Sequence, residues 1–206
     1  GVPPSFGLAT FRADAANRRE GDIATLAILS SAVPAICSLS NRTSGFEQPA
    51  ALTYPVYRPD GTGGLATVEP LLATLADQRA AFSDPALAAA WQAQLRTQDA
   101  LYTRAAFAMP WLDRSPFARL VRRSLAVSAI EGRKAEILSD PERVTATLTG
   151  IAAAFASEAR AAGQRPVVLL IQTRDSTDYD LARRLRPVLE AEGILASIRS
   201  KLDFDS

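Results

Sequence analysis

The chain has 206 residues, 48% of them hydrophobic and 22% charged, with 23 basic against 22 acidic side chains and a net charge of +1. This length suits one sizeable α/β domain or one domain with an insertion, and the charge balance excludes a global field for nucleic acid or an anionic membrane. Histidine is absent, which removes imidazole acid/base catalysis, Ser-His-Asp triads and His-ligated metals from anything the chain does unaided.

All basic residues but Lys134 and Lys201 are arginine, and alanine occurs 39 times, a bias of GC-rich bacterial coding sequence. Cys37 is the single cysteine, so no intrachain disulfide forms. It follows an apolar stretch and is expected to be a buried structural thiol. The longest apolar run, residues 23–37, is too short to span a bilayer and contains Pro34. No membrane span, no nucleic-acid partner and no cofactor are expected.

Residues 8–19 read as a short helix, with Leu8, Phe11, Ala15 and Ala16 facing inward and Arg12, Arg18 and Arg19 outward. "IATLAILS", residues 23–30, is a strand apolar on both faces, the pattern of a parallel strand covered by helices on each side. Residues 38–65 look irregular, and "DGTGG" at 60–64 suits a surface hairpin or loop far better than a phosphate cradle, since it lacks the GK[ST] ending. Residues 66–130 form a mainly helical insertion. Asp84-Pro85 opens a helix expected to run through Leu87, Trp91, Leu95 and Leu101 to about Phe107, and a further helix covers 117–130.

Asp140-Pro141 opens the most regular helix, with Val144, Leu148, Ile151, Ala152 and Phe155 at helical spacing and Gly163 as its stop. "PVVLLI", residues 166–171, is a second buried parallel strand. A helix over 177–191 presents Leu181, Leu185, Val188 and Leu189 on one face, with Pro187 as a kink, and "GILASI" at 193–198 is a third strand. This order points to an α/β fold, a three-layer α/β/α arrangement around an open parallel sheet, with the 166–171 strand central. "TRDSTDYD", residues 173–180, lies just past a strand end, where such sheets bind ligands. Asp175 and Ser176 there also suit helix capping.

"GVPPSFGLATFR", then "GDIATLAILSSAVPAI", then a Pro-rich stretch ending in "YPVYRPDG", resemble the second and third conserved blocks of SGNH-type (GDSL-like) hydrolases. "RKAEILSDPERV" and "AAGQRPVVLLIQTRD" resemble the helix and strand before that family's last catalytic block. The resemblance covers most of the chain. It implies an esterase or acyltransferase acting on acyl esters, often of carbohydrates, and is compatible with a periplasmic or cell-envelope location.

The family's GDS nucleophile block would precede Gly1 and its Asp-x-x-His block would follow Ser206, so the chain is expected to be an interior piece that is not competent alone. Pro4 stands where the family has an oxyanion glycine, and proline has no N–H to donate. The asparagine expected after the first strand is absent from Ser30, Ser31, Ala32 and Val33. No catalytic residue is assigned. The candidate ligand-loop residues are Gly1, Ser30, Ser31, Thr173, Arg174 and Asp175, for an acyl-ester or glycan ligand. Two other readings stay open: a non-catalytic relative that binds a glycan or a protein, and an unrelated flavodoxin-like domain binding a small anion near Thr173.

Overall fold

In chain order the elements are α1 (Pro4–Ala13), β1 (Ile23–Leu29), β2 (Val56–Pro59), β3 (Leu65–Val68), α2 (Leu75–Ser83), α3 (Pro85–Gln98), α4 (Arg104–Phe107), α5 (Pro116–Leu138), α6 (Pro141–Ala161), β4 (Arg165–Gln172), α7 (Leu181–Ala191) and β5 (Leu195–Ser200). The structure, a computed structural model, describes residues 3–40, 53–61, 64–107, 115–172 and 180–200, with 107 and 195–200 described by backbone only. The chain divides into two compact units.

The first unit comprises Gly1–Ile36, Tyr57–Thr67 and Asp140–Ser206. Its sheet has the order β1-β4-β5 with both pairings parallel. Ile23 lies opposite Arg165 and Leu29 opposite Ile171, while Val167 lies opposite Leu195. The expected central position of the "PVVLLI" strand is therefore the observed one. Asp140 caps α6 by accepting the Arg143 N–H at 3.1 Å, and Pro141 fills the first helical position, where no N–H is needed. Val144, Leu148, Ile151, Ala152 and Phe155 are all buried along α6. The helix stops at Gly163, which has φ +70° and donates its N–H to the Arg160 carbonyl at 2.9 Å.

The connections β1 to β4 and β4 to β5 step across the sheet in one direction. Two right-handed crossovers therefore place α6 and α7 on the same face, and the two helices touch each other. α1 packs on that face too, against β1 and α6. There Phe11 meets Phe155 edge-on at 4.9 Å between ring centroids, and Arg12 donates to Glu158 at 2.9 Å.

The other face of the sheet differs from expectation. Ala24, Leu26 and Ile28 are buried, but Ile23 is 58% exposed, and Thr25 and Ala27 are exposed too. An apolar run marks a strand able to be buried twice, and here the described residues cover β1 once. Three further boundaries move. The first helix runs from Pro4 to Ala13, so Ala15 and Ala16 lie in a short exposed 3-10 turn. Arg18 turns inward, with its guanidinium 3.8 Å from the Phe11 ring centroid. The last long helix starts at Leu181, capped by Asp180, and the expected caps Asp175 and Ser176 lie outside the described residues.

The second unit comprises Cys37–Val56 and Val68–Ser139. Leu39, Val56, Leu95, Ala106, Ala126 and Ile130 form its core, with Trp91 and Tyr102 packed against it. The helix from Pro85 ends at Gln98, well short of Phe107, because Asp99 leaves the helical conformation and turns its carboxylate onto other backbone. α2 was not anticipated by apolar spacing, since no residue in it is buried. Its start is local chemistry, a capping box in which Thr74 and Asp77 satisfy each other's N–H. "DGTGG" does close a hairpin, β2 to β3, with Asp60 accepting the Gly64 N–H at 2.9 Å.

Candidate functional site

The carboxyl ends of parallel strands are where open α/β sheets hold ligands. Leu29 lies opposite Ile171, so Ser30 and Gln172 are the next residues at that edge. Ser30 and Ser31 open a 3-10 segment, Ser30–Cys37, in which Ser30 is buried and Ser31 exposed. The Gln172 side-chain oxygen accepts the Leu181 N–H at 3.3 Å, and Asp180 accepts the Arg183 N–H at 2.9 Å. The start of α7 is thus capped from within and carries a carboxylate, which disfavours an anion there. Gly1, Thr173, Arg174 and Asp175 lie outside the described residues.

α1 begins beside this edge. A Cβ built on Gly7 would sit 2.6 Å from a Leu26 methyl, so the helix crosses mid-β1 at Gly7. Arg12, near the end of α1, pairs with Glu158 near the end of α6, where the chain leads into the start of β4, so the first turn of α1 lies toward the carboxyl ends of the parallel strands. Pro3 and Pro4 supply no N–H to that turn, and the Phe6 and Gly7 amides both turn back to the Pro3 carbonyl, at 3.0 and 3.3 Å. Ser5 follows them. It is fully buried, and its hydroxyl has no hydrogen-bond partner. A buried hydroxyl left unpaired costs about 1–3 kcal/mol, so such a group marks either tolerated strain or a ligand contact. The apolar spacing starts this helix at residue 8 and leaves Ser5 in the turn before it, whereas the helix begins at Pro4 and carries Ser5 in its first turn.

The structure also brings out a buried carboxylate in the second unit. One Asp99 oxygen accepts from the Ser38 hydroxyl at 3.0 Å and from the Ser40 amide and hydroxyl at 3.1 and 2.9 Å. The other accepts the Leu101 N–H at 2.8 Å. Burial pushes this carboxyl above the ordinary carboxylate range, and the four hydrogen bonds pull the other way without cancelling it. A signal for it existed: an acidic residue at the end of a helix opposes the helix dipole and needs another reason to be there.

A groove of about 770 Å³ lies outside α6 and α7, with Leu65 of the hairpin, Thr149 and Gly150 of α6 and Arg184 of α7 among its walls. Leu65 seats where a side chain on Gly150 would be, 2.7 Å from the built Cβ, and the Thr149 hydroxyl has no partner. Cys37 is half-buried rather than buried, at the end of the 3-10 segment. Trp91 packs on the second unit's core as a structural residue would. Arg122 is half-buried and donates to the Ala105 carbonyl at 3.2 Å. Among the described residues no helix is long and apolar enough to cross a membrane.

Chemically, the strand edge offers serine hydroxyls and a carboxamide, with no imidazole in the sequence to activate them. Such groups can hold a ligand by hydrogen bonds. No protein-family description, curated protein or solved structure matches the chain.

Proposed function

We propose that the chain is part of an SGNH-like domain that binds an acyl-ester or glycan ligand at the carboxyl edge of β1 and β4 and is not competent alone for hydrolysis or acyl transfer. The carrying observation is the Ser5 hydroxyl, buried and unpaired in the first turn of α1. A helix start aimed at the strand edge, followed by "LAILSS" leading into a 3-10 turn, is the arrangement the family resemblance implies. The exposed side of β1, with Ile23 and Ala27, is where the second helical layer of a three-layer fold would lie.

A second reading is favoured by Pro3 and Pro4. Two prolines at a helix start remove amide donors that an oxyanion would need, and losing one such donor typically costs about a hundred- to a thousand-fold in rate. The same edge then serves binding only, of a glycan or a protein partner.

Hydrolysis of p-nitrophenyl acetate tests the first half: turnover should not exceed that of a matched inert protein. Turnover abolished by Ser30→Ala or Ser31→Ala would overturn it. Amide NMR titration with an O-acetylated and a plain oligosaccharide tests the second half. Shifts confined to residues around Ser5, Ser30 and Gln172 are expected, and the absence of shifts there with both sugars would refute a ligand edge.

A further inference from the structure

α6 carries three threonines at alternate positions, and one behaves differently from the others. The Thr145 and Thr147 hydroxyls each donate to the carbonyl four residues earlier, Pro141 at 2.6 Å and Arg143 at 2.9 Å. Thr149 does not follow them. Its hydroxyl oxygen is buried and has no hydrogen-bond partner, although a helical threonine ordinarily has the same kind of carbonyl within reach. A buried hydroxyl left unpaired is a cost, and it points to a second state in which the group is paired.

The next residue is Gly150. A glycine in mid-helix weakens the helix, and here its missing side chain makes room for Leu65 of β3, whose methyl lies 2.7 Å from where a Cβ would stand. Leu65, Thr149 and Gly150 line one groove of about 770 Å³, together with Pro59 and Gly64 of the hairpin and Arg184 of α7. Among the described residues from Arg58 to Thr67, Leu65 alone is not exposed. The outer half of the hairpin thus rests on α6 through one side chain.

Its base is held more firmly. The buried Tyr57 accepts at its hydroxyl from Arg12 of α1 at 3.4 Å, with the guanidinium 5.4 Å from the ring centroid, and Glu158 of α6 fixes Arg12 at 2.8 Å. The turn is closed on itself, since Asp60 accepts the Gly64 N–H at 2.9 Å and donates its own to the Gly64 carbonyl at 3.1 Å. A fixed base, a closed turn and a single seat are the parts of a flap that swings as one piece. We infer that the β2–β3 hairpin is a flap on the α6 groove, latched by Leu65 in the notch at Gly150, and that opening it hydrates the Thr149 hydroxyl. The two states oppose one another: closure buries the Leu65 side chain and leaves the hydroxyl dry, and opening reverses both.

The flap works whether or not the strand edge binds a ligand. Carbon-13 relaxation dispersion on methyl-labelled protein tests it. The Leu65 and Thr149 methyls should show microsecond-to-millisecond exchange, while the core residues Leu148 and Leu170 stay silent. Thr149→Val keeps the shape and removes the hydroxyl, so the open population should fall by roughly tenfold or more. Gly150→Ala fills the notch, and the Leu65 methyl shifts should move to the values that the wild-type dispersion assigns to the open state. Leu65 methyls without exchange would overturn the flap, as would equal exchange at Leu148 and Leu170, which reports opening of the whole unit. An open population unchanged by Thr149→Val would overturn the role of the hydroxyl and with it the balance between the two states.

Discussion

The Ser40 amide and the Asp99 carboxylate, 59 residues apart in sequence, meet at 3.1 Å in the interior of the second unit. The same oxygen takes both serine hydroxyls, and Leu101 takes the other oxygen. One side chain therefore closes the turn after α3 and anchors the segment after the first unit's 3-10 helix. Asp99→Ala would leave two buried amides and two hydroxyls without acceptors, at about 1–3 kcal/mol for each that stays unpaired. Partial relaxation makes a total loss of about 3 kcal/mol the expected urea-denaturation result.

The same carboxyl predicts a pH dependence. Its native value is raised by burial, so between the ordinary carboxylate value and the raised one the folded state holds more protons than the unfolded state. Stability from this group is full below the ordinary value and declines as pH rises through the native one. Unfolding free energies measured across the acidic range should show that decline in the wild type. Asp99→Asn, which cannot titrate, should flatten it.

Ser5→Ala should raise the melting temperature. Removing a fully buried hydroxyl that has no partner relieves a desolvation cost of about 1 kcal/mol or more, and alanine is a good helix residue. If Ser5 contacts the ligand, the same variant binds more weakly while melting higher. A lower melting temperature would show that Ser5 has a structural role its geometry does not reveal.

Two helical glycines should respond to alanine with opposite signs. At Gly7 the new methyl would meet Leu26, buried in β1, at 2.6 Å. Overpacking of about 1–3 kcal/mol then exceeds the helix gain of about 1 kcal/mol, and Gly7→Ala should be destabilising. At Gly132 nothing lies within 4 Å, so Gly132→Ala should stabilise by about 0.5–1 kcal/mol. Thermal melts of the two variants, run side by side, check both signs.

Asp84→Ala should cost about 1 kcal/mol, because the Asp84 side chain accepts the Ala86 and Leu87 amides at 2.9 and 3.1 Å. Asp84→Ser should recover most of that loss in the same denaturation assay.

Local and periodic features were legible in the sequence. Three apolar runs separated by helices dictate parallel strands, and the polar-free run at 167–171 belongs in the centre, where both edges are paired. Asp-Pro pairs at 84 and 140, the spacing of Val144 through Phe155 and the stop at Gly163 follow from backbone chemistry within a few residues. What tertiary structure alone decided depends on long-range placement. Whether Ile23 and Ala27 are covered depends on where helices pack, not on how apolar β1 is. Where α3 ends depends on Asp99 finding Ser38 and Ser40 far away in the chain. That Ser5 is sealed without a partner depends on α1 docking against β1 through Gly7. Burial and pairing across the chain are properties of distance in space, and a sequence carries only distance along itself.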